Sequence, residues 1–261
     1  MDHPVVLITG ALTGIGRAAA FAFAKDGGRI VVSGRHEEVG QGLAAELRSL
    51  GAEVEFIRAD VRRDNEVRDL VDRTVARFGR LDAAVNNAGT EGKPGPVTEQ
   101  TAESYAATFD TNVLSVLLSM KHEMRVMQTQ GSGCIVNISS TMGQRGAANA
   151  SLYTASKHAV EGMTKSAALE GAAYGVRVNA VAPGPIDTEM LNRFTGSAER
   201  KIMARINVRD ENRPMVFFNS ATRCFRVNPF LRPSSHWNRY ISRRPVQSIS
   251  PEAYLRVVNP A

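Results

Sequence analysis

Short runs of apolar and β-branched residues recur along the first 181 positions: Val5-Val6-Leu7-Ile8, Arg29 to Ser33, Val54 to Arg58, Ala83-Ala84-Val85, Ile135-Val136-Asn137-Ile138 and Val176 to Val181. The first is apolar throughout, as expected of a strand covered on both faces in a parallel sheet. Between these runs lie helix-forming stretches: Arg17 to Lys25, His36–Leu50, Asn65–Phe78, Ala102–Gln130 and Ser151–Tyr174. Strand and helix alternate, which predicts an α/β fold: one doubly wound parallel sheet with helices on both faces. A chain of 261 residues can bury the core of such a domain.

The first strand runs directly into Thr9-Gly10-Ala11-Leu12-Thr13-Gly14-Ile15-Gly16, and the alanine-rich helix follows at once. Strand, tight glycine turn and helix N-terminus in that order make an anion site. The glycines let the backbone approach a pyrophosphate, and the helix end supplies free N–H groups. The spacing is G-x-x-x-G-x-G rather than G-x-G-x-x-G. The second strand ends in Gly34-Arg35, with no acid to bind an adenosine ribose. Arg35 offers a planar cation suited to a 2′-phosphate, which favours NADP(H), with NAD(H) as the second choice. The plainer reading of Arg35 is a solvated side chain starting the next helix. Asp60 and Val61, after the third strand, would sit beside the adenine; Asp60 could equally serve a turn or a helix cap.

Tyr153 and Lys157 stand four residues apart in a helix-forming stretch, so both emerge on one face. A free phenol is a poor proton-transfer group near neutrality. A fixed ammonium one turn away is expected to lower its pKa and make the pair an acid/base for an alcohol oxygen. Taken alone, the pair also fits an ordinary surface tyrosine and lysine.

Charge separates the chain into two parts. The net charge is +6, yet residues 1–206 hold 23 basic and 23 acidic residues. Residues 207–261 carry nine Arg, no Lys, three acids, six of the eleven Pro and no glycine. A neutral body without aromatics interleaved on a basic helix argues against a nucleic-acid partner. No apolar run reaches the roughly 18 residues of a membrane span. Glycines interrupt the N-terminal apolar segment, so no secretory signal is expected and a cytoplasmic location is. Cys134 and Cys224 lack metal spacing, the five His are scattered, and no metal site is assigned.

Over residues 4–206 the chain resembles the short-chain dehydrogenase/reductase family. The motifs that carry the resemblance are Thr9-Gly-x-x-x-Gly14-Ile-Gly16, Asp60-Val61, Asn86-Asn87-Ala88-Gly89, Asn112, Ser139-Ser140, Tyr153-x-x-x-Lys157 and Pro183-Gly184-Pro185-Ile186-Asp187-Thr188, in that order. The resemblance implies a Rossmann-like domain and interconversion of a secondary alcohol and a ketone with a nicotinamide cofactor. It implies Tyr153 as proton donor and acceptor. Lys157 would lower the phenol's pKa and bond the nicotinamide ribose, and Ser140 would hold the substrate oxygen. Asn112, in a distorted helix, would hold a relay water. Gly10, Thr13, Gly14, Ile15 and Gly16 would cradle the pyrophosphate, with Asn87, Ala88 and Gly89 beneath the cofactor. Pro183, Gly184, Ile186 and Thr188 would wrap the nicotinamide end. It further implies a homo-oligomer, dimeric through the 102–130 and 151–174 helices.

The tail departs from the family, whose apolar helix and glycine-rich last strand are not visible in it. Arg213-Pro214, Asn228-Pro229, Arg232-Pro233, Arg244-Pro245 and Asn259-Pro260 break candidate elements. One account is a reading-frame change. With one permitted codon choice, His236 to Arg244 read a nucleotide later gives Thr-Gly-Thr-Asp-Ile-Ser-Val-Asp-Gly, which looks like the family's closing strand. The other is a divergent C-terminus that docks on the body or on a partner. Residues 1–206 are therefore read as the catalytic domain and 207–261 as an Arg/Pro-rich tail that is partly disordered or docked. A tetramer, which would use the missing strand, is in doubt. The alternative to an enzyme is a dinucleotide-binding protein with an incomplete substrate pocket. Residues 189–205 are expected to form a flap over the substrate.

Overall fold

The computed structural model describes residues 3–194 and the pair Val257–Val258. Six parallel strands, β1 (Val5–Thr9), β2 (Arg29–Gly34), β3 (Glu53–Arg58), β4 (Ala83–Asn86), β5 (Gly133–Ile138) and β6 (Val176–Val181), lie in the order 3-2-1-4-5-6. The helices between them are α1 (Gly14–Lys25), α2 (Glu37–Ser49), α3 (Asp64–Phe78), α4 (Ala102–Phe109), α5 (Ser115–Gln130) and α6 (Ser151–Ala172). This is the doubly wound, Rossmann-like sheet expected from the pattern.

Every residue of β1 is buried, and the strand's two-residue period divides it between two cores. Val6 and Ile8 pack with Ala19, Ala20 and Phe23 of α1 and Leu43 and Leu47 of α2. Val5 and Leu7 pack with Leu70 and Val71 of α3, Met120 and Met127 of α5, and Val160 of α6. Alanines on the buried face of α1 let that helix approach the sheet closely.

A π-helical segment, Asp110–Leu114, separates α4 from α5 within the stretch Ala102–Gln130, which is the distorted helix that the family resemblance implied around Asn112. The difference from the sequence reading lies elsewhere. In the tail, where no strand is expected, Val257–Val258 forms β7 (Val257–Val258), antiparallel to Ala180 and Val181 of β6. Two β-branched residues meeting a sheet edge suffice for this pairing, and no proline falls within it. The rest of the tail, and residues 195–205 of the expected flap, lie outside the described residues.

Candidate active site

The strand order reverses between β1 and β4, so the chain leaves these neighbours toward opposite faces. A crevice opens beyond their carboxyl ends, the position where open α/β sheets take ligands. The turns on its two sides are stitched together. Thr9 Oγ1 accepts from the backbone N–H of Asn87 (3.2 Å) and of Ala88 (3.4 Å), and Asn87 Nδ2 donates to Gly10 O at 2.8 Å.

That stitching dictates the glycines. Gly10 has φ +61°, a conformation costly for other residues, and a Cβ there would lie 2.7 Å from the Ala88 backbone. A Cβ on Gly16 would sit 2.4 Å from both Asn87 Nδ2 and Gly10 O. Thr13 is the N-cap of α1, with no side-chain capping bond and no acid in the helix's first turn. Unopposed N–H groups and a backbone surface that only glycine leaves clear fit a pyrophosphate. Ile15 is half-buried beside this turn, and Gly14 faces the Thr188 methyl.

A cavity of about 430 Å³ opens beside the crevice, lined by Arg35, Arg62, Gly89, Thr90, Thr111 and Arg193 among others. Arg35 is exposed, and its carbonyl accepts from Arg58 Nε at 3.2 Å. Asp60 is gripped by Arg62, whose Nη2 lies 2.6 Å from Oδ2 and whose backbone N–H bonds Oδ1. That side-chain hydrogen bond brings the Asp60 pKa to about 2, against a smaller opposing effect of burial. The turn role allowed for Asp60 is thus present. Val61 is half-buried next to it.

Ser140, two residues past β5, accepts from Met142 N–H at 3.1 Å and lies near enough to Tyr153, on α6, to act on its phenol by hydrogen bonding. Lys157 is buried one turn further along, its Nζ 5.7 Å from the Tyr153 ring centre and donating to Ile138 O at 2.8 Å. The expected lowering of the phenol by Lys157 is not what the geometry gives. Burial raises the Tyr153 pKa, the Ser140 hydrogen bond opposes this, and Glu91 raises it further. The lysine, turned toward a strand carbonyl, is itself held down to about 8 by burial.

Asn112 lies at the centre of the π-helical segment and is fully buried. Its Oδ1 accepts from Thr90 N–H (2.7 Å), and its Nδ2 donates to Thr90 O (2.9 Å) and Ser156 Oγ (3.0 Å). It therefore joins the loop after β4 to the helix that carries Tyr153. Gly89 sits between: a Cβ there would be 3.2 Å from Asn112 Oδ1 and 3.8 Å from Lys157 Nζ. On the far side, Pro183 O accepts from Thr141 N–H. Gly184 and Ile186 continue past it, half-buried, and Thr188 Oγ1 caps a short helix over residues 189–194.

Asn86 was quoted in the family motif without a role of its own, and Glu123, Glu91 and Arg193 gave no local signal. Buried Asn86 donates to Glu123 Oε2 and Asn137 Oδ1, both at 3.0 Å, fixing the strand end ahead of Asn87. Glu123 is fully buried and its Oε1 has no partner; burial carries its pKa up to about 7. Glu91 and Arg193, 102 positions apart, pair across the mouth of the site. Nothing in either neighbourhood points to the other. Among the described residues no cluster of His, Cys, Asp or Glu could hold a metal, and no helix is long and apolar enough to cross a membrane.

Known proteins resemble the chain in sequence and fold. A family model described as short chain dehydrogenase matches residues 4–198. Over 201 residues the chain is 38% identical to a 3beta-hydroxysteroid dehydrogenase of Mediterraneibacter gnavus, spanning 77% of this chain and 72% of that one. A crystal structure of an actinorhodin polyketide ketoreductase with NADPH superposes with a TM-score of 0.78 at 34% identity, over 86% of this chain and 90% of the other. An NAD+-bound xylitol dehydrogenase gives 0.71 at 33%, over 80% and 78%.

Proposed function

The chain belongs to the short-chain dehydrogenase/reductase family, and from that premise we propose that it is an NADP(H)-preferring oxidoreductase that interconverts a secondary alcohol and a ketone, with Tyr153 as proton donor. The observation that carries the reading is the grouping of Ser140, Tyr153 and Lys157, with Lys157 Nζ buried 5.7 Å from the Tyr153 ring and Ser140 acting on the phenol. When bound, the nicotinamide would supply or accept the hydride; the protein must orient it and handle one proton. Gly10, Thr13, Gly14, Ile15 and Gly16 would hold its pyrophosphate, and Asn87, Ala88 and Gly89 would lie beneath it. Asp60 and Val61 would border the adenine. Pro183, Gly184, Ile186 and Thr188 would enclose the nicotinamide end.

Two neighbouring hydroxyls suit a carbonyl oxygen. Ser140 would bond it and Tyr153 would protonate it as charge develops. A phenol whose pKa is raised by burial stays protonated near neutrality, which supports the reductive direction. Lys157 would bond the ribose, and Asn112 would hold the loop and helix around it. Arg35 beside the cavity supports a 2′-phosphate over a bare ribose, because a guanidinium forks onto phosphate oxygens. A homo-oligomer in the cytoplasm fits the long helices and the lack of an apolar span among the described residues. NADPH oxidation followed across a panel of ketones tests the reading. Turnover that vanishes in Tyr153→Phe is the expected result, and no turnover with any ketone favours the alternative of a binding protein without catalysis.

A further inference from the structure

Ser139 precedes the serine assigned to the substrate oxygen, and its own hydroxyl bonds inside the protein. Its Oγ donates to Glu161 Oε1 at 3.1 Å. Glu161 lies one turn past Lys157 on α6, so it shares a face with Lys157 and Tyr153. Its side chain is buried, the residue 5% exposed, and among the described residues no cation pairs with it. What holds it are donors from one short segment. Gln144 Nε2 reaches the same Oε1 at 3.5 Å, so the two donors bracket Ser140 and the 3-10 turn Thr141–Gly143. Gly143 closes on that oxygen as well: a Cβ there would lie 2.7 Å from Glu161 Oε1 and 2.6 Å from Ser139 Oγ.

Ser140 is the N-cap of that turn. Its Oγ accepts from Met142 N–H at 3.1 Å, and its carbonyl accepts from Gly143 N–H at 2.8 Å. Thr141 N–H donates to Pro183 O at 2.9 Å. These bonds fix the shape of the turn and one of its edges. The contacts with Glu161 tie its two ends to α6, the helix that carries Tyr153. An apolar side chain of similar size would fill the same space without the cost of desolvating a carboxyl group. The polar group therefore supplies something packing does not, an acceptor that both ends of the turn can share.

We propose that Glu161 is a positioning residue for the reaction: its carboxyl group clamps both ends of the turn that presents Ser140 and so holds that hydroxyl in register with Tyr153 on the same helix. Ser139, which the family motif includes, is the near arm of the clamp, and Gln144 is the far arm. Glu161 acts through Ser140 and not on the substrate. The inference rests on the reading of Ser140 as the group that bonds the substrate oxygen.

One arm of the test needs no turnover. In the full chain, exchange of the Met142 and Gly143 amide protons, both bonded to Ser140, is followed by 15N NMR. Glu161→Ala should speed both by about tenfold, the worth of one such hydrogen bond, and leave the β5 amides unchanged. Glu161→Gln keeps an acceptor oxygen and should restore most of the protection. Where Glu161→Ala does not fold, Ser139→Ala removes the nearer bond and carries the same expectation. Unmoved exchange at Met142 and Gly143 overturns the clamp, and so does equal acceleration in β5. The second arm uses a ketone from the NADPH-oxidation panel. Glu161→Ala should lower kcat by roughly ten- to a hundredfold with NADPH affinity unchanged, and Glu161→Gln should recover most of it. In a Ser140→Ala background Glu161→Ala should cost nothing further; an additive loss overturns the proposal, since Glu161 would then act by another route. If Ser140→Ala retains full turnover, the substrate-oxygen reading falls and the proposal with it. If the parent reduces no ketone, the proposed activity falls, and amide exchange alone decides the clamp.

Discussion

The side-chain amide of Asn87 donates to the carbonyl oxygen of Gly10 at 2.8 Å, joining the turn after β4 to the turn after β1. The two turns form the floor and one wall of the crevice, so one hydrogen bond sets the width at which a cofactor must fit. Gly16 is packed into the same joint.

Gly16→Ala should therefore disable cofactor binding. The added methyl meets the Gly10 carbonyl as well as the Asn87 amide, and backbone cannot swing aside as a side-chain tip can. A loss of about 1–3 kcal/mol in stability is expected from the forced shift, together with loss of NADPH fluorescence enhancement. Parent-like binding by the variant would contradict the cradle assignment.

Arg35→Ala should weaken NADPH by about tenfold while changing NADH little, because only NADPH carries the 2′-phosphate that the guanidinium would fork onto. Parallel titrations with the two cofactors read the ratio. Equal loss for both would remove Arg35 from the 2′-phosphate.

Tyr153→Phe deletes the hydroxyl and keeps the ring that Phe194 and Lys157 contact. Turnover should fall by roughly 10²–10⁴, the usual worth of a positioned proton donor, with NADPH affinity nearly unchanged. Ser140→Ala should lower turnover too, by removing a bond to the substrate oxygen. Single-turnover measurement of NADPH oxidation separates these effects from binding.

Glu123 predicts a pH dependence of stability. Its folded pKa, about 7, lies above the ordinary 4.5, so the folded state binds the proton more tightly. The stability this contributes is fully present below about pH 4.5 and is lost as pH rises through about 7, a fall of roughly 3 kcal/mol. Glu123→Gln, which is neutral at every pH, should flatten that part of the curve in urea unfolding. A parent curve already flat there would show the carboxyl to be solvated.

Much of the architecture was legible because buried parallel strands and helical stretches leave different periods in a sequence. The glycine turn, Tyr153 and Lys157 were legible because their chemistry is local: a strand meeting a helix, and two side chains one turn apart. Interactions between distant segments were not. The buried carboxyl of Glu123 looks like any helical glutamate until Asn86 is placed against it. The π-helical segment around Asn112 had no signal in its own residues and was expected only through the family resemblance. The sense of the Tyr153 shift was misjudged because spacing shows a neighbour but not how deeply both are buried. Arg62 escaped notice because its role is to hold Asp60, and a charged run after a strand reads as solvated surface.

The bond from Lys157 to Ile138 O has a mechanical meaning. α6 carries the phenol, β5 leads into the serine, and this bond is a cross-brace between them. Any tilt of the helix that carried Tyr153 away from β5 would have to stretch it first, so the position of the phenol is built into the sheet-to-helix joint.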